Sequence, residues 1–170
     1  EHFQAYLHHG YYPFFLEKRN FSENLLKTMN MMIEVDILLI YQMEQKNLNR
    51  IKKLLYLLAT RGTGTPNVSQ LAQEVLTSRT TIANYIKFLS DARLINILYR
   101  KGEDYPKKPG RIMMNNTNLM YAMTPGNVNT EDLMDTFFQN AIWGKHKIRI
   151  GDRGCTFLLD NQYRFRLQNE

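Results

Sequence analysis

Residues 67–93 read NVSQLAQEVLTSRTTIANYIKFLSDAR, and this stretch decides the fold that the sequence predicts. A short helix comes first, because Asn67 or Ser69 can accept a hydrogen bond from the start of a helix. After a break, a longer helix runs from Ser78 to about Arg93, and two helices joined by a tight turn predict a helix-turn-helix. The predicted buried sides are Leu71, Ala72 and Val75 in the first helix and Ile82, Tyr85, Ile86 and Leu89 in the second.

The residues that follow predict a wing, which is a β-hairpin beside the helices. Strand-favouring residues at 94–99 and 112–114 flank a long polar loop. Over residues 93–111, six cationic side chains stand against two acidic ones, Glu103 and Asp104, which leaves a net charge of +4. Because the whole chain carries +6, the basic excess is concentrated on the wing.

Two more helices are predicted before this pair. Ser22 can cap a helix that runs to about Asp36 with apolar residues at spacings of three and four. The next helix has the clearest pattern in the chain, since apolar residues recur at i, i+3, i+4 and i+7 from Ile51, and Gly62 and Gly64 end the pattern.

The first twenty residues are rich in aromatic side chains. Gly10 and Pro13 interrupt them, so we expect a short helix that ends near Gly10 and then an irregular stretch. So many aromatic side chains would form an exposed apolar patch in a free domain. We therefore expect this segment to pack on a domain that precedes this chain.

The last third predicts a helix followed by a β-meander. Residues 115–125 predict a short connection, and residues 130–143 predict a helix. The apolar side of this helix is predicted to be Leu133, Met134, Phe137, Phe138 and Ile142. Three short strands are predicted at 147–150, 156–159 and 163–167.

Composition excludes several classes of protein. The single cysteine, Cys155, can form no disulfide within the chain, which favours a reducing, cytoplasmic setting and a buried structural thiol. No stretch approaches the ~20 apolar residues of a membrane span, so no membrane partner is expected. The adjacent His8 and His9 lack further ligands at metal-binding spacing, and no catalytic motif is present, so neither a metal site nor an active site is predicted.

The basic helix-turn-helix carries the main functional prediction. Major-groove readout uses short polar and cationic side chains near a helix start, while cations on a wing can neutralise phosphate. Winged helices also dock proteins, and a lysine-rich loop can be a solvated tip, so the sequence leaves both interpretations open. The candidate contacts to double-stranded DNA are Arg79, Thr80, Thr81, Asn84 and Lys87 on the helix and Arg100, Lys101, Lys107, Lys108 and Arg111 on the wing.

Six stretches in order carry a family resemblance. They are FQAYLHHGYYP at 3–13, EVDI at 34–37, RIKKLLYLLA at 50–59, SRTTIANYI at 78–86, NNTNLMYA at 115–122 and DTFFQN at 135–140. Together they resemble the C-terminal half of predicted prokaryotic AAA-superfamily ATPases that carry a C-terminal domain of unknown function. The resemblance implies an upstream ATPase module, then a winged helix, then a restriction-endonuclease-like domain. ATP and Mg²⁺ would belong to that upstream module, so no cofactor is expected in this chain.

The nuclease-like tail departs from the family where chemistry would need carboxylates. The family has Glu-Thr-Phe-Phe where this chain has Asp135 and the three residues after it. It has Asp-Phe-Leu where this chain has Thr156 and the two residues after it, and Phe-Glu where this chain has Phe165 and Arg166. The chain also ends before the usual Lys. Because cleavage of phosphodiesters with a divalent metal needs clustered carboxylates, we expect no nuclease activity and no enzyme in this chain.

These observations predict an α+β fold in three parts. Residues 1–39 form a helical segment that packs on the ATPase module, residues 40–115 form the winged helix-turn-helix, and residues 116–170 begin an inactive, truncated nuclease-like α/β domain. The expected function is DNA binding as an appendage of an AAA-type ATPase. The alternative is a module for protein interaction or oligomerisation of the same ATPase.

Overall fold

Seven helices and two small antiparallel sheets make up the part of the chain described by the computed structural model, which covers residues 1–13, 16, 19–36 and 44–167. The α+β class is therefore confirmed. The helices are α1 (His2–Ala5, continued by a π-helical turn Tyr6–Gly10), α2 (Phe21–Val35), α3 (Gln45–Thr60), α4 (Val68–Val75), α5 (Arg79–Asp91), α6 (Thr117–Met123) and α7 (Thr130–Ile142). The strands are β1 (Ile95–Leu98), β2 (Arg111–Met114), β3 (Ile148–Ile150), β4 (Phe157–Leu159) and β5 (Tyr163–Phe165).

Side-chain caps set the starts of the helices on either side of the central turn. The side chain of Asn67 accepts a hydrogen bond from the Gln70 N–H at 3.1 Å, and Ser78 accepts one from the Thr81 N–H at 3.1 Å. Asn67 was one of the two predicted caps, and Ser78 was predicted as the start of the longer helix. The predicted cap at Ser22 is wrong, because α2 begins at Phe21 and Ser22 lies within it. The residue before the helix is Asn20, with a φ of 53°, a conformation that asparagine tolerates.

The main core lies between α2, α3, α4, α5, the β1–β2 hairpin and α6. Its fully buried side chains follow the apolar spacing of each helix, and the predicted inner residues of α4 and α5 are all buried. The largest side chains of this core with less than 2% exposure are Ile33, Leu48, Ile51, Leu54, Leu55, Leu71, Ile82, Ile86 and Leu89.

The three-stranded sheet contacts the two-stranded sheet, which is the β1–β2 hairpin. In the hairpin, Ile95 pairs with Met114 and Leu98 with Arg111, and the second sheet has the order β3-β4-β5. The Ile150 N–H donates to the Tyr99 carbonyl at 3.0 Å, which links β3 to the end of β1. A second, smaller core forms here around Leu98, Met113 and Phe157. The predicted β-meander is present, and it packs on the hairpin.

Helix α6 replaces the short connection predicted for residues 115–125, so that prediction is wrong. Asn116 caps it by accepting a hydrogen bond from the Leu119 N–H at 3.0 Å. Thr117 and Asn118 are buried although they are polar, because both donate to the Leu7 carbonyl, at 2.7 and 2.9 Å. Partners more than a hundred residues away thus satisfy the polar side of this helix.

The N-terminal segment packs within this chain. Leu7 is buried, the Tyr11 N–H donates to Asn118 Oδ1 at 2.9 Å, and the Phe3 ring lies edge-on to Phe137 with centroids 5.1 Å apart. The N-terminal segment, which was expected to pack on a preceding domain, thus packs in part on α6 and α7 of this chain. Part of the aromatic surface is still exposed, with Phe3 at 47% and Tyr6 at 40%.

The inner side of α7 is more polar than predicted. Leu133 is buried as expected, but the other buried side chains are Asp135, Thr136 and Gln139. Gln139 Oε1 accepts a hydrogen bond from Asn96 Nδ2 at 2.5 Å, so the helix faces the polar edge of the hairpin. The other predicted inner residues, Met134, Phe137, Phe138 and Ile142, are only half-buried.

No helix among the described residues is both long enough and apolar enough to cross a bilayer.

Candidate nucleic-acid interface

The start of α5 presents the polar face that the sequence predicted. Arg79, Thr80 and Asn84 are exposed. Thr81 is half-buried, and its hydroxyl lies 2.9 Å from the Ser78 hydroxyl, so it belongs to the helix cap. The first two turns of α5 therefore offer one guanidinium, one hydroxyl and one amide to a partner.

The opposite side of α5 anchors the helix in the core. Ile82, Ile86 and Leu89 are buried, and the Tyr85 hydroxyl donates to Asn47 Oδ1 on α3 at 3.0 Å. Burial raises the pKa of Tyr85, so this hydroxyl stays protonated and keeps its role as a donor. The orientation of the exposed face is thus set by the packing of α5 against α3.

The β1–β2 loop carries four exposed cations, which are Arg100, Lys101, Lys107 and Lys108. Lys101 Nζ lies 3.4 Å from the Asn161 carbonyl, at the turn between β4 and β5.

Lys87 connects α5 with this loop. Its ammonium lies 2.5 Å from Asp91 Oδ1 and 5.8 Å from the centroid of the Tyr105 ring in the loop. The Asp91 carboxylate offsets much of its charge. Lys87 therefore links the polar face of α5 to the loop through Tyr105. We call the exposed polar residues of α5 and the exposed cations of the loop together the basic face.

Arg111 takes a different place from the other predicted contacts. Its guanidinium pairs with Asp135 on α7 at 2.6 Å and donates to the Thr63 carbonyl at 2.8 Å and to the Thr63 hydroxyl at 2.7 Å. Its side chain is mostly buried. Arg111 thus holds β2 against α7, and the basic face consists of the other predicted residues.

Arg149 on β3 binds two residues of the loop, and the sequence analysis did not predict this contact. Its side chain is only 4% exposed, and its guanidinium meets Asp104 at 2.9 Å and the Glu103 carbonyl, both in the loop. The hydrogen bond from Arg149 lowers the pKa of Asp104 from its usual value. The exposed carboxylate of Asp104 is therefore paired with a buried guanidinium.

The sequence offered little signal for Arg149, because a single arginine in a three-residue strand with an alternating pattern normally faces solvent. The partners that bury it lie about 45 residues away in the loop.

The positions at which the resemblance implies nuclease carboxylates are 135, 156 and 166. Asp135 is engaged by Arg111, Arg166 is exposed, and the Thr156 hydroxyl accepts a hydrogen bond from the Leu167 N–H at 3.4 Å. Within the described residues, no group of three or more His, Cys, Asp or Glu side chains could hold a metal ion. His8 stacks on Tyr121 with ring centroids 3.6 Å apart, and Cys155 is half-buried rather than buried.

Comparison of the sequence with known protein families gives a match over most of the chain. Residues 1–127 match the family described as a domain of unknown function (DUF8612). The chain belongs to this family. No curated protein and no solved structure matches the chain. The matched residues include α5 and the whole basic loop, whereas Arg149 lies beyond them.

Proposed function

We propose that this chain binds duplex DNA through a winged helix made of α3, α4, α5 and the β1–β2 hairpin. The observation that carries the proposal is the contact of Lys87 with Tyr105, which joins the helix that exposes Arg79 and Asn84 to the loop that carries four exposed cations. A helix start with short polar and cationic side chains fits the major groove, and cations beside it fit the phosphates.

The residues of the basic face divide into two roles. Arg79 can make a bidentate contact to guanine, and Asn84 can make one to adenine. Arg100, Lys101, Lys107 and Lys108 neutralise phosphates without reading sequence. Thr80 adds a hydroxyl, Thr81 completes the cap, and Lys87 contacts the Tyr105 ring of the loop.

We further propose that the chain is the DNA-contacting appendage of an AAA-type ATPase and has no catalysis of its own. The link to an ATPase is supported by the order of the six stretches that resemble the family. The second part, the lack of catalysis, is supported by Asp135, whose carboxylate is engaged by Arg111, and by Thr156 and Arg166 at positions where a nuclease would use carboxylates. Mg²⁺-dependent cleavage of plasmid DNA by the purified chain would overturn the second part.

Fluorescence anisotropy with a labelled random-sequence duplex of about 20 base pairs tests DNA binding. We expect binding that weakens steeply with salt, because phosphate contacts release counterions. Charge reversal at Lys107→Glu and Lys108→Glu together should weaken binding at least about tenfold and reduce the salt slope by about 2.

A matched variant with Lys27→Glu and Lys53→Glu changes the net charge equally, on exposed positions of α2 and α3 outside the basic face. It should bind DNA almost as the parent chain does. Equal losses in both variants would mean that only net charge attracts DNA and would overturn the assignment of the basic face.

The alternative of a protein-docking module has its own observation, the partly exposed aromatic side chains Phe3, Tyr6 and Tyr11 of the N-terminal segment. If no DNA binding is seen even at low salt, this surface is the next candidate. Assembly with the ATPase would then be unaffected by Lys107→Glu and Lys108→Glu.

A further inference from the structure

A cavity of about 360 Å³ lies between the N-terminal segment, α2 and the junction of α5 with β1, and its lining shares no residue with the basic face. Its volume falls in the range of about 300–1,000 Å³ in which small-molecule sites are found. At the ~30 Å³ that a water molecule occupies in the liquid, it has room for about twelve non-hydrogen atoms. The apolar lining is Tyr11, Tyr12, Leu25, Met29, Met32, Ala92, Leu94, Leu119 and Trp143, and the polar lining is Thr28, Arg93 and Asn115.

The lining combines many apolar surfaces with few polar groups. Two methionines, Met29 and Met32, line one wall, and methionine adapts its shape to a guest more easily than branched side chains do. A predominantly apolar wall with a small number of placed polar groups is the usual composition of a ligand site.

Arg93 is the one cation of this lining. Its guanidinium carbon lies 3.3 Å from the centroid of the Trp143 ring, which supports it from one side. Within the described residues, no carboxylate pairs with Arg93 and no hydrogen bond holds its side chain. A partly desolvated guanidinium without an anion is a site that an anion can complete.

The backbone at Arg93 strengthens this assignment. Arg93 follows the end of α5 with a φ of 61°, and the Leu94 N–H donates to the Leu89 carbonyl at 3.0 Å, as in a Schellman motif. Glycine suits this position best, because it adopts positive φ without a steric cost. The fold therefore does not need an arginine here, and its side chain is free to serve a ligand.

We propose that the cavity binds a small molecule with an apolar body and one carboxylate. The apolar body lies among the methionine, leucine and tyrosine side chains, and the carboxylate pairs with Arg93. Trp143 at the mouth holds the guanidinium in place by its ring face. This proposal does not depend on DNA binding.

Trp143 makes the test specific, because it is the single tryptophan of the chain. Titration of the full chain with decanoate, which has twelve non-hydrogen atoms, should change Trp143 fluorescence saturably with a Kd of about 0.1–1 mM. Isothermal titration calorimetry gives a second readout that does not rely on tryptophan. Decan-1-ol, which lacks the charge, should bind about tenfold more weakly.

Two variants separate the charge from the cavity. Arg93→Gly suits the positive φ and should fold normally, yet bind decanoate about tenfold more weakly by calorimetry. Thr28→Phe, at an exposed position of α2 that lines the cavity, should reduce binding of both decanoate and decan-1-ol by filling space. The absence of saturable binding, or equal affinity of decanoate for the parent chain and either variant, would overturn the proposal, as would equal affinity for the alcohol.

Discussion

Arg111 shows how one side chain can join two parts of the chain. Its guanidinium reaches Asp135 on α7 and the Thr63 carbonyl and hydroxyl after α3, and the Thr63 hydroxyl in turn donates to Asp132. The charges of Arg111 and Asp135 are mostly buried, so each depends on the other for its compensation. A basic residue at the edge of a lysine-rich loop thus acts in the structure rather than at the surface.

We expect Arg111→Met to destabilise the fold by about 3 kcal/mol, because it leaves Asp135 partly buried without its partner. Urea unfolding followed by circular dichroism measures this change. Lys27→Met is the control, since the Lys27–Glu23 pair on α2 is exposed and its loss should leave stability unchanged. A variant as stable as the parent chain would contradict the structural role of Arg111.

At the scale of elements, local signals predicted most helices and strands. The apolar spacing of α3, the caps at Asn67 and Ser78, and the strand-favouring residues of the hairpin are all properties of neighbouring residues. Helix α6 was not predictable in this way. Its polar residues Thr117 and Asn118 become buried only because the N-terminal segment supplies the Leu7 carbonyl.

The contact between β3 and the basic loop yields a prediction for DNA binding. If the loop binds DNA as proposed, Arg149 positions it, since its buried guanidinium donates to the Arg100 and Glu103 carbonyls and pairs with Asp104. Arg149→Met should free the loop, so that its cations must be ordered on binding, and should weaken DNA affinity about tenfold. Fluorescence anisotropy measures the affinity, and thermal melting checks that the variant is folded.

The control for Arg149→Met is Lys145→Met, which removes one exposed cation and changes the net charge equally. It should bind DNA almost as the parent chain does. If both variants lose the same affinity, the effect is one of net charge and the positioning role is wrong. If neither the parent chain nor the variant binds DNA, the proposed function itself is wrong. This result differs from failure of the positioning role alone, in which the parent chain still binds.

At the scale of the whole molecule, three carboxylates of the C-terminal half predict how stability depends on pH. Hydrogen bonds from Arg149, Arg164 and His146 lower the pKa values of Asp104, Asp152 and Asp160 respectively, relative to their usual 3.8. Each carboxylate therefore binds protons more readily in the unfolded state. The stabilisation is present above the usual pKa and is lost as the pH falls below it.

Thermal melts between about pH 7 and pH 2 test this prediction. We expect the melting temperature to fall as the pH drops below about 4. A variant with Asp104→Asn, Asp152→Asn and Asp160→Asn should be less stable at neutral pH and should lose less stability on acidification. An unchanged pH dependence in this triple variant would show that other carboxylates control acid unfolding.

By itself the sequence determined the α+β class, the order of most elements and the exposed residues at the start of α5. These follow from spacing, capping and turn residues, which act between near neighbours. Only the tertiary structure decided which cations are free, since Arg111 and Arg149 are buried by partners from distant parts of the chain. The physical reason is that the charge a residue presents depends on its burial and on the groups that pair with it, and both are set by long-range packing.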